Sequence, residues 1–516
     1  MRLWGGALLA AFAAVLVVQI VLRPALPIDE TRYLAVAWEM HLSGDMFHLT
    51  RDFESYSHKP PLLFWLINLV WLGTGVSEIA ARLVGPAFAV VSVFLTGQLA
   101  RRFWPQDETI ALRSMAILVG FTLFSLYGGA LMFDALLTVF VLLGLLVLWR
   151  IGQGARGWRP WLWLGLVLAF GTLAKGPVIL LHLLPALLAI RLWASDPPDW
   201  REIGRGGGVA LLVALALVLV WLVPALLGGD AAFRKELLVT QSVARVSGEL
   251  GHGRPIWFLI ALLPLILFPW GWSWRLWQAV PAAVKGDGAG RLVAIWAVSA
   301  LVLFSIVGGK QVHYLLPELP AMALLFARAS TGQDRRGGSL AFVLPVLLAI
   351  VLGLAAGGLI RDRNLADLTP VWAVVLVALL CLGLAVASLR LPLLRGHLAL
   401  GLGLALTLHL LTALTLAGRS QDTVAIGQAL AARQSAGIAF FGMPYNAEFN
   451  FAGRLTAPVE VPMDHQALTD WAKAHPDGLV VGPTERSGIA VAPDTTWRFR
   501  SREFGGWSGA TLTAGP

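Results

Sequence analysis

Residues 207–228 read GGVALLVALALVLVWLVPALLG, 22 positions without a charged, amide or hydroxyl side chain. A helix needs about 20 mostly apolar residues to cross the bilayer hydrocarbon, so this stretch predicts a membrane span. Working outward, runs that meet the same test or fall a little short lie near 4–23, 79–100, 111–127, 130–149, 159–174 and 176–193 on one side. On the other they lie near 256–278, 292–308, 314–330, 339–359, 370–389 and 396–417. The expectation is an all-α polytopic membrane protein with about 13 spans, each hydrogen-bonding its backbone internally as lipid requires. Residues 62–72, short and opened by Pro60-Pro61, read as a juxtamembrane or re-entrant helix. The first run follows Arg2 and has no small-residue cleavage site before Arg23-Pro24, so it is expected to stay as an anchor.

Composition agrees. Charged residues make up 13% of the chain and hydrophobic residues 57%, against about 25% charged in a soluble domain. That excludes an ordinary soluble enzyme, and 22 Trp with 24 Phe exclude disorder. The single cysteine, Cys381, excludes an intramolecular disulfide and a cysteine metal cluster. The net charge of +9 would suggest nucleic acid in a soluble protein, but here arginine reports orientation. With the N-terminus cytoplasmic, each inner loop carries two or three basic residues, among them Arg101, Arg102 and Arg113, then Arg150, Arg156 and Arg159, and finally Arg390 and Arg395. No nucleic-acid partner is implied. This topology gives a membrane domain, 1–417, with long outer loops at 24–78 and 229–255. It also places the tail, 418–516, outside as a small mixed α/β domain. Strands are expected at Ile438–Phe441, Val459–Val461, Leu479–Val481, Trp497–Phe504 and Gly509–Leu512, with helices at Tyr445–Ala452 and 465–475.

Charge is scarce, so its location informs. The first outer loop begins with a helical pattern from Asp29 to about Leu42 that puts Tyr33, Val36, Ala37 and Met40 on one side, as in a helix lying along the membrane surface. Glu39, Asp45, Asp52 and Glu54 read as solvated loop acids. Asp29 lies just past the first span, at the membrane boundary, where partial desolvation suits a carboxylate to proton abstraction. Asp134 lies in an otherwise uncharged stretch at the outer end of a span. Such residues are functional candidates by default, although an N-terminal helix Asp also gains from the macrodipole. Lys59, Arg82, Lys175, Arg234, Lys235, Arg245, Arg254 and Lys310 fall on the outer side, which the orientation rule disfavours. An anionic ligand at the outer boundary would explain them. His58 and His252 are candidate ligands of a divalent metal, without a ligand-spacing motif between them, and His313 reads equally as a capping histidine or a ligand. Gly206-Gly207-Gly208 lies on the inner side with no following Lys-Ser/Thr and is not a phosphate loop.

Several motifs carry a family likeness. Asp29-Glu30-Thr31-Arg32-Tyr33, Ser43-Gly44-Asp45, Lys59-Pro60-Pro61 and Glu78–Leu83 resemble the first outer loop of the GT-C glycosyltransferases. Leu173–Pro177, Lys310-Gln311-Val312-His313-Tyr314-Leu315-Leu316-Pro317 and the loop Arg245…His252-Gly253-Arg254-Pro255 resemble the ArnT-like branch of the dolichyl-phosphate-mannose–protein mannosyltransferase superfamily. The resemblance covers most of residues 25–320 and implies the GT-C fold. It implies transfer of a sugar from a polyprenyl-phosphate donor to a glycolipid or protein acceptor, on the outer face of a bacterial inner membrane, with no cofactor required. In that scheme Asp29 matches the acid that orients or deprotonates the acceptor, and Asp134 a supporting acid. Arg32, Tyr33, Tyr56, Lys59, Lys175, Arg245, Arg254 and Tyr314 match positions near the carrier phosphate or sugar. One position departs: where the ArnT branch has Glu before Lys-Pro-Pro, this chain has His58. That Glu has been associated with a metal, so His58 either replaces it as ligand or removes the site, and the donated sugar stays open. A transporter or flippase of lipid-linked substrates is the alternative. Transport sites usually lie near mid-membrane, whereas these charges cluster at one face.

Overall fold

A computed structural model describes residues 2–240, 253–332, 336–360, 365 and 367–514. The long apolar runs form helices, because a helix satisfies its own backbone where no water can. α1 (Arg2–Val21) leads through a short linker to α2 (Asp29–Ser43) and to a small antiparallel hairpin, β1 (Thr50–Arg51) with β2 (Glu54–Ser55). There follow α3 (Leu62–Thr74), α4 (Glu78–Arg82) and α5 (Val84–Phe103). α6 (Ile110–Gly120) and α7 (Thr122–Gly128) meet at a bend of 74°. Next come α8 (Phe133–Gly152), α9 (Trp158–Lys175), α10 (Ile179–Leu188), α11 (Ile190–Trp193), α12 (Trp200–Gly228) and α13 (Ala231–Lys235), the last running into a π-helical turn, Glu236–Thr240. The membrane domain closes with α14 (Phe258–Ile266), α15 (Trp274–Lys285), α16 (Gly288–Ile306), a 3₁₀ segment Val312–Glu318, α17 (Leu319–Ala329), α18 (Val343–Ala356), α19 (Val371–Arg390) and α20 (Leu393–Leu414).

Among the described residues seven helices are long and apolar enough to cross a membrane, or eight if α6 and α7 count as one bent span. The other predicted spans fall on shorter or interrupted helices. Residues 176–193 divide into α10 and α11, with Pro185 inside α10; 256–278 divide around a 3₁₀ turn at Trp270–Trp272; and 314–330 begin as the 3₁₀ segment that contains Pro317. Proline removes a backbone donor and breaks an interior turn, which hydropathy alone does not register. The outward faces are apolar: Leu211, Leu212, Leu215, Val220 and Leu227 of α12 are all at least half exposed, as lipid contact requires. Inside, small residues let helices meet closely. At Gly401 a Cβ would lie 1.7 Å from the carbonyl oxygen of Gly120, so α20 crosses α6 backbone to backbone.

The tail opens with α21 (Leu416–Arg419) and α22 (Val424–Arg433), then alternates β3 (Ile438–Phe440), α23 (Asn450–Gly453), α24 (His465–Ala474), β4 (Leu479–Pro483) and α25 (Thr484–Ser487). It ends with β5 (Thr495–Phe499), β6 (Arg502–Ser508) and α26 (Gly509–Thr513). The sheet order is β3-β4-β6-β5, with β3 parallel to β4 and the other pairs antiparallel. Asp464 caps α24 by accepting from the Ala467 N–H at 2.8 Å, as its sequence position suggests.

Four tail expectations are corrected. Trp497–Phe504 is a hairpin, turned by Arg500 and Ser501 at φ 49° and 59°, without the Asn or Gly that usually marks such a turn. Gly509–Leu512 is helical because Ser508 caps Thr511 N–H. Val459–Val461, flanked by Pro458 and Pro462, makes only an isolated bridge through Glu460. Of Tyr445–Ala452 only the end is helical, since the Glu448 carboxylate accepts from Asn446 N–H and Ala447 takes a positive φ.

A further correction concerns the first outer loop. α2 does not lie free on the membrane surface: it is covered by the tail, and Glu39 is 2% exposed. Glu39 accepts from the N–H groups of Asp52 and Phe53 at 2.8 and 2.9 Å. Asp52 in turn accepts from Asn450 Nδ2 at 2.9 Å and Val459 N–H at 3.0 Å. Neither acid is a solvated loop residue, whereas Asp45 and Glu54 are exposed. Above them Trp38 Nε1 donates to Leu455 O at 2.8 Å, and Trp71 stacks on Phe451 with centroids 5.6 Å apart and planes at 6°.

Candidate active site

The end of the membrane domain where α1, α2 and α8 meet is fixed by a buried charge network. Arg23, just past α1, forms an ion pair with Glu30 and donates to Gly129 O at 3.0 Å. Glu30 also accepts from Leu26 N–H at 2.8 Å and Leu131 N–H at 2.7 Å, while Arg82 donates to Arg23 O at 3.0 Å and pairs with Glu78. One carboxylate thus ties the start of α2 to the turn that launches α8. This places the two candidate acids: Asp29 precedes Glu30, and Asp134 follows three residues after Leu131.

Asp29 accepts from Arg32 and, at 3.3 Å, from the Tyr33 hydroxyl. Both contacts fall on Oδ1, and the side chain is 45% exposed. Burial and the neighbouring Asp29 charge push the Tyr33 phenol well above its ordinary value, so it remains a hydrogen-bond donor. Asp134 is 1% exposed and forms an ion pair with Lys175 from the last turn of α9. An acid in a first turn and a cation in a last turn are each favoured by their helix dipoles. The Lys175 ammonium lies 4.7 Å from the centroid of the Tyr314 ring, and that of Lys59 lies 5.4 Å from the Phe133 ring. His313 and Lys59 both contribute to the field at Asp134, and Asp29 to the field at His313. Arg51 sits 5.7 Å over Tyr56, whose ring is 5.2 Å from that of His58.

Of the sequence-derived candidates, Asp29, Arg32, Tyr33, Tyr56, Lys59, Asp134, Lys175 and Tyr314 therefore gather at one site. Arg254 stands apart: it is exposed, its guanidinium is 5.5 Å from the Phe258 ring, and its carbonyl accepts from buried Lys310 at 2.9 Å. Lys310 is thus a loop tie. Arg245 and His252 lie outside the described residues. His58 Nε2 is 3.3 Å from Glu236 Oε1 in the π-helical turn, and among the described residues no group of three or more His, Cys, Asp or Glu is placed to hold a metal.

Tyr127 was not singled out in the sequence, yet its ring lies 5.5 Å from that of His313 and feels both Asp134 and Asp29. A signal was available. The chain has only five tyrosines, and Tyr33, Tyr56, Tyr127 and Tyr314 all belong to this site. Chemically the arrangement offers a half-exposed carboxylate, several cations and several phenols at one site.

The fold matches the crystal structure of ArnT from Cupriavidus metallidurans bound to undecaprenyl phosphate, with a TM-score of 0.74, 19% identity and 98% of each chain covered. The apo form gives 0.73 and 18% identity over 99% of each chain. A family described as dolichyl-phosphate-mannose-protein mannosyltransferase matches residues 58–226. In sequence the chain is similar to the undecaprenyl phosphate-alpha-4-amino-4-deoxy-L-arabinose arabinosyl transferase of Pseudomonas paraeruginosa, 32% identical over 340 residues, 64% of this chain and 60% of the relative. The enzyme of that name, numbered 2, from Sodalis glossinidius is 26% identical over 66% of this chain and 62% of its own length. The chain therefore spans about three fifths of the length of the relatives it matches.

Proposed function

We propose that this chain is a membrane glycosyltransferase that moves a sugar from a polyprenyl-phosphate carrier to a glycolipid of the lipid A kind, or to a protein, on the outer face of the bacterial inner membrane. The observation that carries the reading is the half-exposed Asp29 carboxylate, facing the same site as the Asp134–Lys175 pair, Lys59 and Tyr314. An acceptor hydroxyl bound at Asp29 Oδ2 loses its proton to that carboxylate as its oxygen attacks the anomeric carbon. The bond from that carbon to the phosphate oxygen breaks, the configuration inverts, and polyprenyl phosphate departs. Arg32, Lys59 and Lys175 meet its developing charge with fixed cations, and Tyr33, Tyr56 and Tyr314 orient sugar and phosphate. Arg254 of the 229–255 loop stands apart from this cluster and takes no part in the step.

The reaction requires no cofactor. A divalent cation would find one nitrogen and one carboxylate in His58 and Glu236, a pair and not a full ligand set among the described residues; His252, the other candidate, lies outside them. The reading includes thirteen spans, a cytoplasmic N-terminus and the division into a membrane domain, 1–417, and a periplasmic domain, 418–516. The relatives' names make undecaprenyl phosphate-alpha-4-amino-4-deoxy-L-arabinose the first donor to try. Mass spectrometry of envelope glycolipids and glycoproteins, with and without the gene, tests the reading. One sugar-modified species should disappear with the gene, and unchanged profiles would contradict it.

A further inference from the structure

The membrane domain buries one more pair of ionisable side chains, which the transfer chemistry does not use. His182 of α10 and Glu318, at the end of the 3₁₀ segment Val312–Glu318, are bonded through Nδ1 and Oε1, and the two residues are 0% and 5% exposed. Ionisable groups at membrane depth are expensive, and a buried ion pair seldom recovers the cost of desolvation. Here His182 Nε2 and Glu318 Oε2 are also buried with no hydrogen-bond partner among the described residues. Stability alone gives no reason for the pair.

Its surroundings supply one. Lys175 and His182 flank the turn between α9 and α10, while Tyr314 and Glu318 flank one turn of the 3₁₀ segment. Lys175 meets Tyr314 at the outer end, and His182 meets Glu318 further in. The Phe304 ring fills the space between, 5.3 Å from His182 and 6.0 Å from Tyr314. The two irregular backbones are thus joined at both ends, like rails with two rungs. The 3₁₀ segment needs such a tie, because its geometry is weaker than an α-helix, Pro317 lacks an N–H, and no side chain caps its start.

We propose that His182 and Glu318 are positioning residues for the donor phosphate: they hold the segment bearing His313 and Tyr314 so that Tyr314 stays in register with Lys175. This rests on the reading of the site as a polyprenyl-phosphate site. The test uses the full chain in nanodiscs and two readouts, the melting temperature and the Kd for undecaprenyl phosphate. His182→Leu with Glu318→Leu replaces the pair by apolar side chains. It should melt no lower than wild type and bind roughly tenfold more weakly, since a misplaced contact costs on that order or more. Glu318→Met alone, which removes the acceptor of His182, should give the same weakening and serves if the double variant does not fold. Glu318→Gln, which can still accept from His182, should bind within about twofold of wild type. Wild-type affinity in the folded apolar variants would overturn the proposal, as would Glu318→Gln binding as weakly as they do. No binding by the wild-type chain itself would overturn the reading of the site, and the proposal with it.

Discussion

The Lys175 ammonium is paired with the Asp134 carboxylate across 41 positions of sequence, joining the last turn of α9 to the first turn of α8 beneath the outer site. The side chains are 9% and 1% exposed, so each is the main compensation for the other's burial. Removing Lys175 alone leaves a carboxylate unpaired in a low-dielectric interior, at a cost of about 3–5 kcal/mol. Lys175→Met should therefore lower the melting temperature sharply. Lys175→Met combined with Asp134→Asn should recover most of that loss while staying inactive in transfer. Thermal unfolding of the two purified variants checks both parts.

Lys59 should act on binding. Its ammonium rests over the Phe133 ring at 5.4 Å, within the field of Asp134. A charged hydrogen bond to a phosphate is worth about 1.5–3 kcal/mol, so Lys59→Ala should raise the Kd for undecaprenyl phosphate by roughly tenfold to a hundredfold. Titration calorimetry reads this directly, and unchanged affinity would remove Lys59 from the donor site.

The tail is seated on the first outer loop by aromatic packing. Phe451 is 3% exposed and stacked on Trp71, with the Arg454 guanidinium 3.7 Å from its ring centroid. Truncating a buried phenylalanine costs about 3–5 kcal/mol. In Phe451→Ala, hydrogen exchange should therefore accelerate in residues 424–514 and in α2, while exchange in α8 and α9 stays slow. Uniform acceleration would mean that the tail is not a separately seated unit.

The same seam should respond to pH. Burial raises Glu39, against the opposing bonds from Phe53 and Asp52, and burial raises Asp52, against those from Asn450 and Val459. A raised carboxylate binds its proton more tightly in the folded state. Its stabilising contribution is full below the ordinary value of about 4 and is lost as pH rises through the raised value. Raising the pH from about 4 toward 7 should accordingly loosen the tail, seen as faster limited proteolysis near residues 420–424. Asp52→Asn should flatten that dependence, because its amide oxygen can still accept from Asn450 and Val459.

Much of this architecture is legible in the sequence because membrane physics leaves few choices. The uncharged run at 207–228 does become α12, and Asp29, Asp134, Lys59 and Lys175 do lie together, since a charge near lipid needs a partner. Interruptions were harder to read. Pro185 and Pro317 sit in runs as apolar as their neighbours, so hydropathy passes over the breaks at α10 and before α17. Asp52 reads as a solvated acid because its partners, Asn450 and Val459, lie some four hundred positions away in the tail, and Glu39 because it accepts from backbone N–H groups of Asp52 and Phe53, which no side-chain pattern marks. Tyr127 was overlooked because a single phenol at a helix end carries no local pattern, and its meaning comes only from His313 across the site. Arg500-Ser501 turns a hairpin without the usual residues, so two strands read as one.

The central claim is that Asp29 is the base. The direct measurement is single-turnover transfer by Asp29→Asn with undecaprenyl-phosphate sugar, alongside the Kd for undecaprenyl phosphate in the same preparation. The account predicts a Kd close to wild type and a transfer rate lower by at least about a hundredfold. Transfer at the wild-type rate by a variant that binds the carrier normally would contradict it.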